Sequence, residues 1–173
     1  MMRNRDADVR HVLVSILLNA DRQVQDKMDD KLHLQKVIFN RNIMKIKLSS
    51  IFVEDQEKAL EFYTKIIGFV KKSDISMWNY RWLTVVSPND MDWAELVLEP
   101  NENPAAKTFQ KALHDQVVPM TALMTDDIEK EYDRLKELWV EFKKELSDLW
   151  MVKLAIFDDT CGNLIQIYEP AKK

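Results

Sequence analysis

The sequence predicts an α+β chain in which one unit is used twice, each unit a strand, a helix and three further strands, behind a helical N-terminal extension. Three observations carry this. Residues 49–69, SSIFVEDQEKALEFYTKIIGF, hold an apolar run, an acidic helix opener, an amphipathic helix and a glycine stop. Residues 121–142, TALMTDDIEKEYDRLKELWVEF, repeat that plan. Both halves close on the same dipeptide, Glu99-Pro100 after ELVL and Glu169-Pro170 after IQIY.

The elements follow in order. KIKLSSIFV, residues 45–53, alternates as a strand, with Ile46, Leu48, Ser50 and Phe52 on one face and Ser49, Ile51 and Val53 on the other. Asp55 is placed to cap the next helix and Glu57 to complement its dipole. Ala59, Phe62, Tyr63 and Ile66 form the stripe that this helix buries, and Gly68 supplies a left-handed stop. Strands are expected at about 69–75, 80–87 and 93–99. The connector NENPAAKTFQKALHDQ, residues 101–116, reads as a linking helix opened by Asn103-Pro104, with Phe109, Ala112 and Leu113 as its apolar stripe. In the second half a strand covers 119–125. Asp126 or Asp127 caps a helix striped by Ile128, Tyr132, Leu135 and Leu138, and strands follow at about 140–145, 151–158 and 163–168.

Residues 1–43 differ in texture. They contain no Gly or Pro, and Val9, Leu13, Ile16, Ala20, Val24, Met28 and Leu32 recur at helical spacing. They are expected to form a helical extension to a domain spanning 44–173, whose two modules cover about 44–104 and 117–170. The run VLVSILL at residues 12–18 is too short to span a bilayer and follows Asp6, Asp8 and Arg10, so neither an anchor nor a signal peptide is expected.

Composition excludes several classes of function. A chain of 173 residues with net charge −4 and pI near 5.5 shows no basic stripe interleaved with aromatics, so no nucleic-acid partner is expected. The single cysteine, Cys161, cannot form an internal disulfide, which points to the cytoplasm. Only two glycines occur, where ~7 % is usual. Trp78, Trp93, Trp139 and Trp150 stand in loops or strand entries, where glycine would permit positive φ. Drift, a heavily mutated chain, and recruitment of aromatics to an interface are three open explanations.

The motifs VEDQEKALEFYTKIIGF, ELVLEP, TDDIEKEYDRLKELWVEF and FDDTCGNLIQIYEP, in this order and spacing, resemble the vicinal oxygen chelate superfamily of glyoxalase I, bleomycin-resistance proteins and extradiol dioxygenases. The resemblance covers residues 44–170. It implies two tandem βαβββ modules forming a curved mixed sheet around a cavity that binds a small molecule, often through a divalent metal. It also implies one metal ligand on the first and last strand of each module, His or Gln on the opening strands and Glu on the closing ones.

Carried onto this chain, the opening-strand positions are Leu48 and Met120, each seven residues before its capping aspartate, and the last closing position is Gln166. The remaining position is Glu95 when ELVLEP is matched directly and Leu96 when counted back from Glu-Pro. Neither Leu nor Met ligates a hard or borderline cation, so no metal and no other cofactor is expected.

Other constellations are weak. His11, His33 and His114 show no metal-ligand spacing, Cys161 has no activating partner in its motif, and Asp158-Asp159 read as organisers of a turn. Arg81 and Trp82 are adjacent on a strand and so face opposite ways, which makes each a candidate to line the cavity. The functional expectation is a metal-independent protein that binds a small organic ligand through Leu48, Arg81, Trp82, Met120 and Gln166. Two alternatives remain: a glyoxalase-like lyase or isomerase with Glu95 as general base, and an interaction protein dimerising through the N-terminal helix. A homodimer and no membrane partner are expected.

Overall fold

The computed structural model describes residues 25, 27–31 and 44–171. The chain divides into two compact units, Met1–Lys45 and Ile46–Lys173. In the first, residues 25 and 27–31 are helical and exposed. The rest of the expected extension, with His11 and His33, lies outside the described residues. No described helix is long and apolar enough to cross a membrane.

The second unit carries both modules. Strand β1 (Leu48–Val53), helix α1 (Gln56–Glu61) with a wider turn over Phe62–Ile66, and strands β2 (Val70–Met77), β3 (Tyr80–Val86) and β4 (Glu95–Pro100) form the first. Helix α2 (Pro104–Asp115) links it to the second, made of β5 (Thr121–Met124), α3 (Ile128–Glu137), β6 (Phe142–Leu149), β7 (Val152–Asp158) and β8 (Leu164–Pro170). Each module is one four-stranded mixed sheet, ordered β1-β4-β3-β2 and β5-β8-β7-β6, with the outer pair β1/β4 or β5/β8 parallel. This is the tandem βαβββ arrangement.

The helices start where side-chain caps allow. Asp55 accepts from the amides of Glu57 (2.8 Å) and Lys58 (3.0 Å), Asn103 from Ala105 (2.9 Å), and Asp127, rather than Asp126, from Lys130 (3.1 Å). One core lies between the modules: Ile51, Val53, Phe62, Tyr63, Leu83 and Leu98 from the first join Ile128, Leu135, Phe157 and Ile165 from the second. Burying each such side chain is worth about 1.5–3 kcal/mol. Both helices turn their stripes to this core, except that Leu138 is exposed.

Helix α2 departs from its expected stripe. Phe109 is 49 % exposed, and the buried positions are Ala106 and Gln110. The reason is polar. Gln110 Nε2 donates to Phe52 O (2.8 Å), Cys161 O (3.1 Å) and Asn163 Oδ1 (3.0 Å), and its Oε1 accepts from Asn101 Nδ2 (2.6 Å). Next to it, buried Asp159 accepts from Tyr63 Oη (2.9 Å), Asn163 Nδ2 (2.8 Å) and the amides of Cys161 and Asn163. Gly162 is required here, because at φ 96° an added Cβ would stand 2.8 Å from Gln110 Nε2.

The missing glycines show in the backbone. Trp78, Val117, Trp139 and Trp150 all have left-handed φ, between 47° and 61°. Trp78 and Trp150 open the two-residue loops joining Met77 to Tyr80 and Leu149 to Val152, a position that favours glycine. Val117 and Trp139 follow α2 and α3. There Val118 N donates to Leu113 O (2.9 Å) and Val140 N to Leu135 O (3.0 Å), the helix stop whose left-handed residue is usually glycine. Trp93 is the exception, with no left-handed φ.

Two outcomes follow for stability. Trp139→Gly and Val117→Gly should each stabilise the fold by about 1 kcal/mol in chemical denaturation, because each relieves a left-handed side chain that buries little. Tyr63→Phe should cost about 1–3 kcal/mol in the same assay, by withdrawing a donor from a buried carboxylate.

Candidate functional site

Alternation divides each sheet into a face packed on the helices and a face turned away from them. In β4, Leu96 and Leu98 pack into the shared core, so Glu95, Val97 and Glu99 stand on the helix-free face. Of the two candidate positions, Glu95 stands on the helix-free face and Leu96 packs against the core. Counting back from Glu-Pro fails because the two dipeptides are out of phase. Glu99 lies opposite Phe52 and accepts from Ser50 Oγ (2.9 Å), whereas Glu169 lies on the helix side and accepts from Ile128 N (3.0 Å).

Glu95 is held from two directions. Thr84 Oγ1 donates to it at 2.8 Å, and Lys72 Nζ is 3.2 Å from its other oxygen. Lys72 sits at an irregularity in the β2–β3 ladder between Lys71 and Ser73, and such a bulge re-aims a side chain. Lys72 also donates to Met91 O (2.6 Å), and Lys47 donates to Asp92 O, so both lysines pin the loop that leads into Glu95. The Thr84 hydrogen bond and the Lys72 ammonium hold the Glu95 carboxyl below the usual carboxylate range.

Of the expected site residues, Leu48 is the cross-strand partner of Glu95. Trp82, two residues from Thr84 and opposite Ile75, shares their face. Arg81 is on the other side, bound to Asp74 (2.8 Å) and to Glu57 (2.8 Å) at the start of α1. Gln166 stands on the helix-free face of the second sheet, opposite Ala122 and Ile156. Met120 precedes β5 and packs against the shared core. The structure therefore gathers Leu48, Trp82 and Glu95 on one sheet face and leaves Arg81, Met120 and Gln166 elsewhere.

Thr84 and Lys72 went unnoticed in the sequence. Thr84 was legible from its alternation with Trp82, but the bulge that delivers Lys72 was not. Leu48, Met120, Gln166 and an ion-paired Glu95 are not a donor set that fits a divalent cation. Among the described residues no group of three or more His, Cys, Asp or Glu could hold one.

The family model described as Glyoxalase/Bleomycin resistance protein/Dioxygenase superfamily matches residues 45–167. The chain belongs to that superfamily. Within it, the chain is 55 % identical over 126 residues to the uncharacterised protein YurT of Bacillus subtilis (strain 168), covering 73 % of this chain and 99 % of that one. Among solved structures, the crystal structure of UcmS2 superposes with a TM-score of 0.65 at 26 % identity, covering 73 % of this chain and 98 % of that one. TnmS3, an antibiotic binding protein from Streptomyces sp. CB03234, gives 0.61 at 27 % identity, covering 76 % and 100 %. A superfamily member from Sphaerobacter thermophilus DSM 20745 gives 0.61 at 29 %, covering 73 % and 98 %.

Cys161 takes no part in this face. It is 1 % exposed, and burial, with the Asp159 charge second, pushes its thiol up to about 12. At pH ~8 its thiolate population should fall by about three orders of magnitude relative to an exposed cysteine. Iodoacetamide should therefore label the folded protein far more slowly than the denatured chain, as followed by mass spectrometry.

Proposed function

We propose that this protein binds a small organic molecule against the helix-free faces of its sheets and holds it without a metal and without turnover. The observation that carries this reading is the state of Glu95. It is the one carboxylate among the four inherited chelating positions, and it is already engaged by Thr84 and Lys72. Around it, Leu48 and Trp82 offer apolar and aromatic contact, the surface that a ligand site uses for affinity. Gln166 would supply an amide from the second sheet. The antibiotic-binding neighbour TnmS3 supports a sequestering role.

The enzyme reading assigns Glu95 the task of general base in a glyoxalase-like lyase or isomerase. A carboxylate whose pKa is lowered by a hydroxyl donor and an ammonium is a weaker base at neutral pH, so the same geometry favours binding. The homodimer and the cytoplasmic location expected from the sequence belong to this proposal. A single buried thiol suits a reducing compartment.

The test is calorimetric. Titrating the full chain with a panel of aromatic and glycopeptide antibiotics that includes bleomycin should give saturable binding for at least one, weakened about tenfold by Trp82→Ala. Purified protein titrated with Mn, Ni and Zn should take up no stoichiometric metal. Stoichiometric uptake, or no saturable binding across the panel, would overturn the reading.

A further inference from the structure

A second site lies away from both sheet faces. Between α2 and the turn after β7 the structure forms a cleft of about 620 Å³, within the range that encloses a small molecule. None of the residues expected to bind ligand lines it. The Gln110 network is its floor, α2 forms one wall, and Glu54, Asp158 and Thr160 form the other.

The charges of the lining can be sorted by what they already hold. Lys111 pairs with Asp115 along the helix at 2.7 Å. Across the cleft, His114 Nε2 meets Asp158 Oδ2 at 2.9 Å. Two charges of opposite sign are left, Lys107 on the helix wall and Glu54 on the facing wall, and neither side chain has a partner among the described residues.

The floor adds a polar group that is nine-tenths buried. Asp159 fixes the orientation of the Asn163 amide, and Asn163 Oδ1 in turn accepts from Gln110 Nε2, so the Gln110 oxygen must face Asn101. Asn101, only 7 % exposed, spends its amide nitrogen on that oxygen. Its own carbonyl oxygen takes no donor from the described residues. No fully buried side-chain polar atom among them is left without a partner, so this oxygen keeps some exposure, and Asn101 is one of the residues that line the cleft.

We propose that this cleft binds a small zwitterionic molecule carrying a primary ammonium and a carboxylate, the ammonium donating to Glu54 and Asn101 and the carboxylate facing Lys107. The charge balance of the lining disfavours a simple anion or cation. A molecule with both charges satisfies both walls, and its ammonium finds a neutral acceptor already oriented on the floor. The site is independent of the helix-free sheet faces.

The experiment uses the full chain and two dipeptides, glycylglycine and alanylalanine, in calorimetric titrations up to about 10 mM, a concentration that detects millimolar affinity. Saturable binding is expected, reduced about tenfold by N-acetylation of the dipeptide and about tenfold by Glu54→Gln or Lys107→Gln. Both side chains are solvent-exposed, so the two variants should keep the wild-type melting temperature and the wild-type antibiotic isotherm. Three results would each overturn the proposal: no saturable heat with either dipeptide, equal binding of the N-acetylated forms, or affinity unmoved by both substitutions.

Discussion

The buried carboxylate of Asp159 is the point on which the second unit hangs together. It sits in the turn after β7 of the second module, yet one of its hydrogen bonds comes from Tyr63 in the first, across 96 residues of chain. Burial raises the pKa of Asp159, and the donors from Asn163, the Cys161 amide and Tyr63 oppose that rise. Asn163 then passes the constraint to Phe52 O in β1 and to Gln110 in the linking helix. One polar cluster thus fixes the first strand, the first helix, the linker and the last turn relative to one another. The apolar core supplies most of the free energy, but apolar contact alone would let the modules slide. The directional bonds set one alignment.

That fixed frame tolerates backbone strain that a looser one would relax. Five described residues that are not glycine are left-handed: two at hairpin tips, two at helix stops, and Thr160 in the turn after β7; the first four keep the hydrogen-bond patterns that glycine normally allows. The three tryptophans among them are more than 90 % exposed, so their rings return almost nothing for that strain. Val117 is the hardest case, since a β-branched residue is the least suited to positive φ. The pattern is local. The tryptophans and Val117 are not among the residues that bond to Asp159 or Glu95, whereas Thr160 lies in the Asp159 turn, where its amide donates to Asp158 Oδ1 at 2.7 Å.

The fold was legible because it is written twice. Each capping aspartate, each helical stripe and each closing strand is supported by its counterpart, so an ambiguous stretch such as TALM could be read from SSIFV. What failed to show was whatever depends on register. The Glu-Pro repeat suggested equivalent faces, but β1 pairs through to Pro100 while the β5 ladder ends at Tyr168, and the two glutamates face opposite ways. The bulge at Lys72, the burial of Gln110 in place of Phe109, and the meeting of His114 with Asp158 across 44 residues leave no periodic trace in the sequence.

The same register difference explains why the candidate site is lopsided. In the first module, the β1–β4 alignment puts Glu95 beside Leu48 and within reach of Thr84, so a carboxylate, a hydroxyl and an ammonium converge on one face. In the second, Gln166 aligns with Ala122 and Ile156, and the nearby Met120 turns to the core. Two modules descended from one plan therefore present unequal surfaces, one able to orient a polar group and one mainly apolar. A symmetric metal site needs matched donors from both halves. A site that grips an organic molecule by its apolar body and orients it at one polar end does not, and the chemistry left on these strands suits the latter.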